Sequence, residues 1–273
     1  MPFCYQSYYL DFPLQSGRVL DLFKPEQIRE DTAVFFVHGG GWQAGSRSNF
    51  HPLMEKLNQQ GFLCASTDYR LVAPSLPGNP CITILDQLSD IRQAYDAFCC
   101  IMKELDRPLN IAVFGSSAGA HLASLLLCTD PGECGEVCKQ ETHWSKPVCG
   151  LLQSTPATFT PWPNIFPHIW SSMQQAAGCT YDANPELFQR LSLNQYIRPD
   201  NPPLFFLEAE NEHMFPARMN QKIVDMHRNM NIPSKLKIYP DAEHGFLYAA
   251  SRPVQIEALN DLIEFVRRDS NSC

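Results

Sequence analysis

The sequence predicts an α/β fold built on a doubly wound, mostly parallel eight-stranded sheet with helices on both faces. Short apolar runs alternate with segments of helical periodicity from residue 33 onwards, which is typical of parallel strands joined by crossover helices. Two segments that mix polar and apolar residues, Gln6 to Asp11 and Arg18 to Phe23, precede this alternation. They are predicted to form an antiparallel pair at one edge of the sheet.

Six further strands follow the edge pair, and five helices connect or cover them. The strands are predicted near residues 33–38, 62–67, 110–115, 148–153, 203–208 and 235–239. The helices are predicted near residues 49–60, 83–105, 118–128, 216–230 and 253–268. Ligands bind at the carboxyl ends of the strands in such sheets, so the residues that follow each strand are the first candidates for a functional site.

Length and composition fit a single domain over residues 1–273. The chain is 44% hydrophobic and 18% charged, as ordinary globular proteins are. Its formal net charge of −8 disfavours nucleic acid and anionic membranes as partners. We find no run of 18 apolar residues that would predict a transmembrane helix, and the N-terminus lacks the features of a secretory signal peptide. The protein is therefore expected in the cytoplasm. The sequence leaves open whether it forms a homo-oligomer.

The eleven cysteines are an odd number, so they cannot all pair within one chain. A zinc site could include Cys134, Cys138 and His143. Structural zinc takes four ligands, however, and no second close pair of ligands is evident in the sequence. No metal is therefore predicted, and these cysteines are expected to form a disulfide or to be thiols.

A serine lies on the predicted turn between the strand at 110–115 and the helix at 118–128. Residues 115–119 read GSSAG. Glycines on both sides of such a turn let the chain reverse sharply, which leaves the hydroxyl of Ser117 exposed. Ser117 is therefore a candidate nucleophile. The alternative is a small residue at a tight turn, because short motifs also occur by chance.

A run of three glycines follows the predicted strand at 33–38. Residues 38–42 read HGGGW, and successive glycines leave backbone amides uncovered. The amides of Gly40 and Gly41, joined by the amide of Ala118 directly after the candidate nucleophile, are predicted to form an oxyanion hole.

These motifs resemble the α/β-hydrolase superfamily, and within it the esterases with an HGGG oxyanion motif, including hormone-sensitive-lipase-like and acetylxylan-esterase-like members. The likeness spans the core from about Val34 to Phe265 and follows the family's order of oxyanion loop, nucleophile, acid and histidine. The resemblance implies an α/β-hydrolase fold and a serine esterase, whose chemistry needs no metal and no organic cofactor.

His244 is the candidate base. It follows the strand-like segment at 235–239 and precedes Gly245 and Phe246. A histidine before Gly-Phe at this distance from the end is similar to the family's catalytic histidine, and imidazole suits proton transfer in both directions. His38 is instead expected to hydrogen-bond backbone and hold the glycine loop. His121 is expected to be a buried, hydrogen-bonded group.

Three carboxylates compete for the role of the acid at the end of the predicted strand 203–208, namely Glu208, Glu210 and Glu212. In related esterases the acid lies a few residues beyond the strand, in a loop that continues to a proline-started helix. Pro216 starts such a helix here. The resemblance therefore selects Glu212, although the family usually has aspartate there, and Glu208 and Glu210 stay open as alternatives.

The segment at about 154–202 is predicted to be a lid-like insertion. It is rich in proline and aromatic residues, and in this fold the excursion after the sixth strand often covers the site. Trp42, Trp162, Phe166 and Trp170 are predicted to line a substrate pocket. The alternative is that the aromatic residues of the segment only anchor a long loop.

The predicted function is hydrolysis of small or medium acyl esters by Ser117, His244 and Glu212 through an acyl-enzyme intermediate. The resemblance points to acetyl esters of sugars or xylan fragments as small-molecule substrates. An arylformamidase is an alternative, but that family typically has a bulkier residue in place of Gly41. A non-catalytic ligand-binding protein on the same scaffold is the other alternative.

Overall fold

The computed structural model describes residues 5–9, 19–73, 81–138 and 143–269. Residues 10–11 and Arg18, which belong to the two predicted edge strands, lie outside this part of the chain. Within it, eight strands form one sheet. The strands are β1 Gln6–Tyr9, β2 Val19–Phe23, β3 Thr32–Val37, β4 Cys64–Thr67, β5 Asn110–Ser116, β6 Cys149–Gln153, β7 Leu204–Asn211 and β8 Lys235–Glu243.

The strand order is β1-β2-β4-β3-β5-β6-β7-β8. β2 pairs antiparallel with β1 and β4, and the remaining strands pair in parallel. The predicted edge pair and the mostly parallel eight-stranded sheet are therefore confirmed. The order reverses around β3, where Val37 is level with Gly115 of β5. The glycine loop after β3 and the Ser117 turn after β5 therefore leave the sheet side by side, where such folds open a crevice.

Seven α-helices lie in the described ranges. They are α1 His51–Gln59, α2 Ile84–Glu104, α3 Ala118–Cys128, α4 Pro167–Ala177, α5 Pro185–Arg190, α6 Ala217–Asn229 and α7 Pro253–Asp269. Alternate residues of β3 pack on opposite faces of the sheet, as the pleat requires. Ala33, Phe35 and Val37 join the core formed with α2, α3 and α6, whereas Val34 and Phe36 join the core formed with α1 and α7. Helices therefore cover both faces, as predicted.

The last two strands are longer than predicted. β7 continues to Asn211 and β8 to Glu243, and these two residues pair beyond an irregularity between Ala209 and Asn211. A bulge interrupts the alternation of a strand, so the pattern in the sequence ends before the strand does. As a result, Glu212 and His244 each follow directly after a strand, and the two strands are neighbours.

The lid segment, residues 154–202, contains α4 and α5. α4 begins at Pro167 and ends at Ala177, and Gly178 directly after it has a left-handed conformation with φ of 76°. That this segment is an insertion in a single domain stays a prediction. In the described part of the chain, no helix combines the length and hydrophobicity that crossing a membrane requires.

The described cysteines form no disulfide. Cys134 is buried and Cys138 is half-buried, so the disulfide alternative for this pair does not hold. Burial also raises the pKa of the Cys134 thiol, which keeps it protonated at neutral pH.

Candidate active site

Ser117 lies on the turn between β5 and α3 in a conformation that few residues other than glycine adopt. Its φ is 55° and its ψ is −121°. Its amide donates to the carbonyl of Gln153 at the end of β6, over 2.9 Å. The turn is packed closely, since a Cβ on Gly119 would lie 2.2 Å from the carbonyl oxygen of Val37. Glycine at position 119 therefore lets α3 approach β3, and Ser117 is held at the sheet edge.

The imidazole of His244 joins Ser117 to Glu212. Its Nε2 lies 2.9 Å from the Oγ of Ser117, and its Nδ1 lies 2.7 Å from the Oε2 of Glu212. A carboxylate only accepts hydrogen bonds, so Nδ1 carries the proton and Nε2 is the acceptor for the serine hydroxyl. The structure thus brings together the residues predicted as nucleophile, base and acid.

Backbone amides also fix the carboxylate of Glu212. Its Oε1 accepts from the amides of Met214 and Phe215, over 2.8 and 3.3 Å. Burial alone would raise the pKa of Glu212, but the hydrogen bond and charge of His244 and the two amides outweigh burial and lower the pKa. Glu212 is therefore a carboxylate at neutral pH, as the hydrogen bond to Nδ1 requires.

The two alternative acids lie away from His244. Glu208 is fully buried, and its Oε1 accepts from the Nδ2 of Asn220 over 2.7 Å. Burial raises the pKa of Glu208 to about 8, which keeps this side chain neutral at pH 7. Glu210 is exposed and accepts from a backbone amide of β8. Of the three carboxylates, Glu212 is the one that contacts His244.

The glycine loop after β3 forms a tight turn. Gly40 and Gly41 have φ of 123° and 59°, which other residues rarely adopt. The carbonyl of Gly40 accepts from the amides of Gln43 and Ala44. A Cβ on Gly40 would lie 2.1 Å from the carbonyl oxygen of Ala44, whereas nothing described lies within 4 Å of a Cβ on Gly41. The amide of Ala118, the first residue of α3, has no acceptor within the helix.

His38 and His121 hold the two loops in place. The Nδ1 of His38 lies 2.8 Å from the carbonyl oxygen of Gly39, and the hydroxyl of Tyr69 donates to the carbonyl of His38 over 2.7 Å. The Nε2 of the buried His121 lies 2.6 Å from the carbonyl oxygen of Leu191 in the lid segment. Burial lowers the pKa of His121 to about 4, so this residue donates as a neutral imidazole. Both histidines hydrogen-bond backbone as predicted, although the Nδ1 of His121 has no hydrogen-bond partner among the described residues.

Trp42 does not line an open pocket. It is 2% exposed, and its ring packs edge-on against His121 and Phe159. Its carbonyl accepts from the side chain of Gln87 over 2.7 Å. The prediction for Trp42 is wrong because the residue after the glycine run turns into the core, where it anchors the loop.

The other three predicted pocket residues lie in the lid segment. Trp162 is 8% exposed and packs against Phe215, with 6.2 Å between the ring centroids. The ring of Phe215 in turn lies 5.8 Å from that of His244. Trp170 is half-buried among other aromatic rings of the segment, and Phe166 is 45% exposed. Trp162 is therefore the one of the three that lies one ring away from His244.

Two residues at the site belong to no sequence motif and were not predicted from the sequence. Phe215 packs on His244, and nothing in the sequence marks it apart from its place before Pro216. Ser154 follows directly after β6 with a φ of 50°, and its Oγ accepts from the amide of Gly245 over 3.3 Å. Its place after a predicted strand was the available signal for Ser154.

A groove of about 500 Å³ opens between the lid segment and α6. Trp162 and Met219 give it apolar walls, and Arg218 and Lys222 give it positive charge. Among the described residues, no group of three or more His, Cys, Asp or Glu side chains is arranged to hold a metal ion.

The hydrogen-bonded line from Glu212 through His244 to Ser117 can move a proton. His244 can take the hydroxyl proton as Ser117 attacks an electrophilic carbon, and the charge of Glu212 stabilises the imidazolium that forms. The same imidazole can return the proton to a leaving group. Such an arrangement fits acyl transfer.

Known proteins with related sequences are hydrolases by name. The chain is 27% identical over 222 residues to the probable carboxylic ester hydrolase LipM of Mycobacterium tuberculosis, which covers 78% of this chain and 49% of that protein. It is 24% identical over 234 residues to an acetylxylan esterase of Xylanibacter ruminicola, which covers 84% of this chain and 44% of that protein. The chain spans 44% to 61% of the length of the curated relatives it matches.

A solved structure and two family models complete the comparison. The butyrate-bound esterase Est2 of Thermogutta terrifontis matches with a TM-score of 0.77 at 21% identity, over 98% of this chain and 94% of that chain. This likeness confirms the α/β-hydrolase fold. The dienelactone hydrolase family model matches residues 190–266, and the BD-FAE family model matches residues 20–226. Because the latter match covers more than half of the chain, the protein belongs to the BD-FAE family.

Proposed function

We propose that the protein is a serine carboxylesterase that cleaves small or medium acyl esters through an acyl-enzyme intermediate. The observation that carries this proposal is the hydrogen-bonded line of Glu212, His244 and Ser117 at the carboxyl edge of the sheet. The names of the relatives support it, since LipM is a probable carboxylic ester hydrolase.

Two half-reactions follow from the geometry. The Oγ of Ser117 attacks the acyl carbon while its proton passes to the Nε2 of His244, and His244 then protonates the leaving alcohol as the ester bond breaks. Water next attacks the acyl-serine, gives a proton to His244 and releases the carboxylic acid. The proton held by His244 returns to Ser117, and Glu212 stabilises the imidazolium in both halves.

The oxyanion of each tetrahedral intermediate is assigned to three backbone amides, those of Gly40, Gly41 and Ala118. The open space beside Gly41 and the amide of Ala118 at the start of α3 support this assignment. Such donors stabilise charge that develops only in the transition state, and the loss of one typically costs about 10²- to 10³-fold in kcat.

Acetyl esters of sugars or xylan fragments are the proposed substrate class. The support is the relation to an acetylxylan esterase over 84% of this chain. The groove beside Trp162 has room for a sugar, and one aromatic ring, that of Phe215, lies between Trp162 and His244.

Hydrolysis of p-nitrophenyl acetate, butyrate and octanoate tests the proposal. The Ser117→Ala and Glu212→Gln variants should each lose about 10³-fold or more in kcat, because triad members act as a unit. Ser171→Ala, on the exposed side of α4, and Glu210→Gln should keep wild-type rates. Full activity of Ser117→Ala would remove Ser117 as the nucleophile.

Competing substrates then separate the candidate activities. Acetylated xylose should compete with the chromogenic esters, and N-formylkynurenine should not; the reverse would favour an arylformamidase. A wild-type protein that cleaves none of these compounds would instead be a ligand-binding protein on a hydrolase scaffold.

A further inference from the structure

The groove between the lid segment and α6 has a volume of about 500 Å³ and takes no part in the acyl transfer described above. One wall is formed by residues 157–163 and the other by α6. Trp162 in the first wall packs on Phe215, whose ring packs on His244. The groove therefore lies two ring contacts away from His244, on the side of the site that Phe215 covers.

Two cations of α6 line this groove. Arg218 and Lys222 lie four residues apart on one helix face, and neither forms an ion pair with another described residue. None of the described residues that line the groove is acidic. Arg228 of the same helix is different, since it is paired with Asp225 over 3.0 Å. In a chain with a formal net charge of −8, this local excess of positive charge favours an anionic ligand.

The remaining lining suits a sugar. The exposed part of the Trp162 ring gives a sugar an apolar contact, and Thr158, Thr160 and Asn194 offer hydroxyl and amide groups for hydrogen bonds. The Oγ1 atoms of Thr158 and Thr160 already lie 2.8 Å apart, so their hydroxyls are held together on the groove wall. An aromatic contact, hydroxyl groups and two cations together match a sugar ring that carries a carboxylate.

We propose that the groove binds a uronic acid unit of the substrate, with Arg218 and Lys222 at its carboxylate and Trp162 at its ring. The proposal rests on the proposed esterase function and makes the substrate an acylated oligosaccharide that carries a uronic acid. The two cations contact a part of the substrate that does not react. They therefore contribute binding energy that is equal in the ground and transition states, and this lowers KM rather than raising kcat.

A matched pair of substrates tests the proposal. The first is acetylated xylotriose with one glucuronic acid branch, and the second is the same compound with that carboxylate reduced to a hydroxymethyl group. For the wild-type protein, kcat/KM for acetate release should be about tenfold higher with the acidic compound, as expected for two charge-assisted contacts near the surface. The preference should shrink as the salt concentration rises.

Substitutions in α6 locate the effect. Arg218→Gln and Lys222→Gln should each raise KM for the acidic compound severalfold, and the double variant should lose the preference. All of them should keep wild-type activity on p-nitrophenyl acetate, which is too small to reach the groove. Arg228→Gln is the matched control on the same helix and should keep the full preference.

The outcomes separate this proposal from the proposed function. Equal kcat/KM for the two compounds in an active wild-type enzyme would overturn the uronic acid site and leave the esterase standing. If the wild-type protein cleaved no ester, calorimetry with the deacetylated compounds would decide. Binding of the acidic compound that needs Arg218 and Lys222 would then support the site, and equal or absent binding of both compounds would overturn it.

Discussion

At the scale of single residues, Ser117 is held in a strained conformation by the backbone around it. Its φ of 55° costs energy for a residue with a side chain, of the order of 1–3 kcal/mol. The hydrogen bond from its amide to Gln153 and the close packing of Gly119 against Val37 hold it there. In this conformation the Oγ lies within hydrogen-bond distance of the Nε2 of His244.

The length of Glu212 is a second property of one residue, because the α/β-hydrolase esterases that the chain resembles usually have aspartate here. The carboxylate of Glu212 spans from His244 to the amides of Met214 and Phe215. Glu212→Asp shortens this reach by about 1.5 Å, so the side chain cannot serve His244 and the amides together. We expect kcat on p-nitrophenyl acetate to fall about 10- to 100-fold with KM nearly unchanged.

Glu212→Gln is the comparison for this variant, because it keeps the length and removes the charge. It should be the slower of the two, since an aspartate can still stabilise the imidazolium. A Glu212→Asp enzyme as fast as wild type would show that the extra methylene does not matter.

The raised pKa of Glu208 predicts how the stability of the protein changes as the pH rises. Its pKa is about 8 in the folded protein, because of burial, against 4.5 as the ordinary value. Between these values the folded protein keeps a proton that the unfolded chain has released. Stability therefore falls as pH rises from 4.5 to 8, by about 1.4 kcal/mol per pH unit at most.

Glu208→Gln removes this titratable group. In urea unfolding, the stability of the variant relative to wild type should therefore be higher at pH 8 than at pH 5. Glu210→Gln, on the exposed part of the same strand, should show no such gain. A difference between Glu208→Gln and wild type that is the same at both pH values would contradict the assignment.

At the scale of elements, α3 connects the nucleophile turn to its surroundings. Its first turn packs on β3 through Gly119, and His121 ties it to the carbonyl of Leu191 in the lid segment. The ring of Trp42 packs against His121, so the glycine loop is joined to the same helix. The position of α3 therefore sets the positions of Ser117, the glycine loop and the lid segment together.

Gly119→Ala tests this packing. The added Cβ would lie 2.2 Å from the carbonyl oxygen of Val37 and 2.3 Å from that of His38, and backbone cannot give way as a flexible side chain can. We expect a loss of about 3 kcal/mol or more in urea unfolding, together with most of the activity. Gly135→Ala is the control, since no described atom lies within 4 Å of its added Cβ. It should lose about 1–2 kcal/mol for its positive φ and keep its activity.

At the scale of the whole molecule, the features that could be predicted from the sequence are those that local sequence patterns determine. The eight-stranded sheet follows from alternating apolar runs, and Ser117 follows from a motif placed directly after a strand. His244 follows from its place after a strand together with the resemblance. The resemblance, not the local pattern, chose Glu212 among three carboxylates. Contacts between distant segments were not predictable in this way, because they depend on packing that no local pattern encodes. Trp42, which turns into the core, and Phe215, which packs on His244, are the examples.

Buried histidines and Glu208 together predict where the molecule is most stable. Burial lowers the pKa of His121 and of His227 to about 4, against 6.5 as the ordinary value. Between pH 6.5 and 4 the unfolded chain takes up protons that the folded protein does not, so stability is lost as pH falls through this window. Glu208 has the opposite effect on stability between pH 4.5 and 8. Below pH 6.5, the effect of the two histidines on stability is larger than the effect of the single carboxyl. Stability from these groups should therefore peak near pH 6.5.

Urea midpoints measured from pH 4.5 to pH 8 check this maximum. His227→Gln should flatten the acid side, because it removes one of the three buried histidines, His38, His121 and His227, whose pKa burial lowers. His168→Gln, on the exposed side of α4, should leave the profile unchanged. A profile that rises steadily to pH 8 would show that Glu208 is ionised in the folded protein, and one that falls steadily from pH 4.5 would show that the buried histidines are protonated.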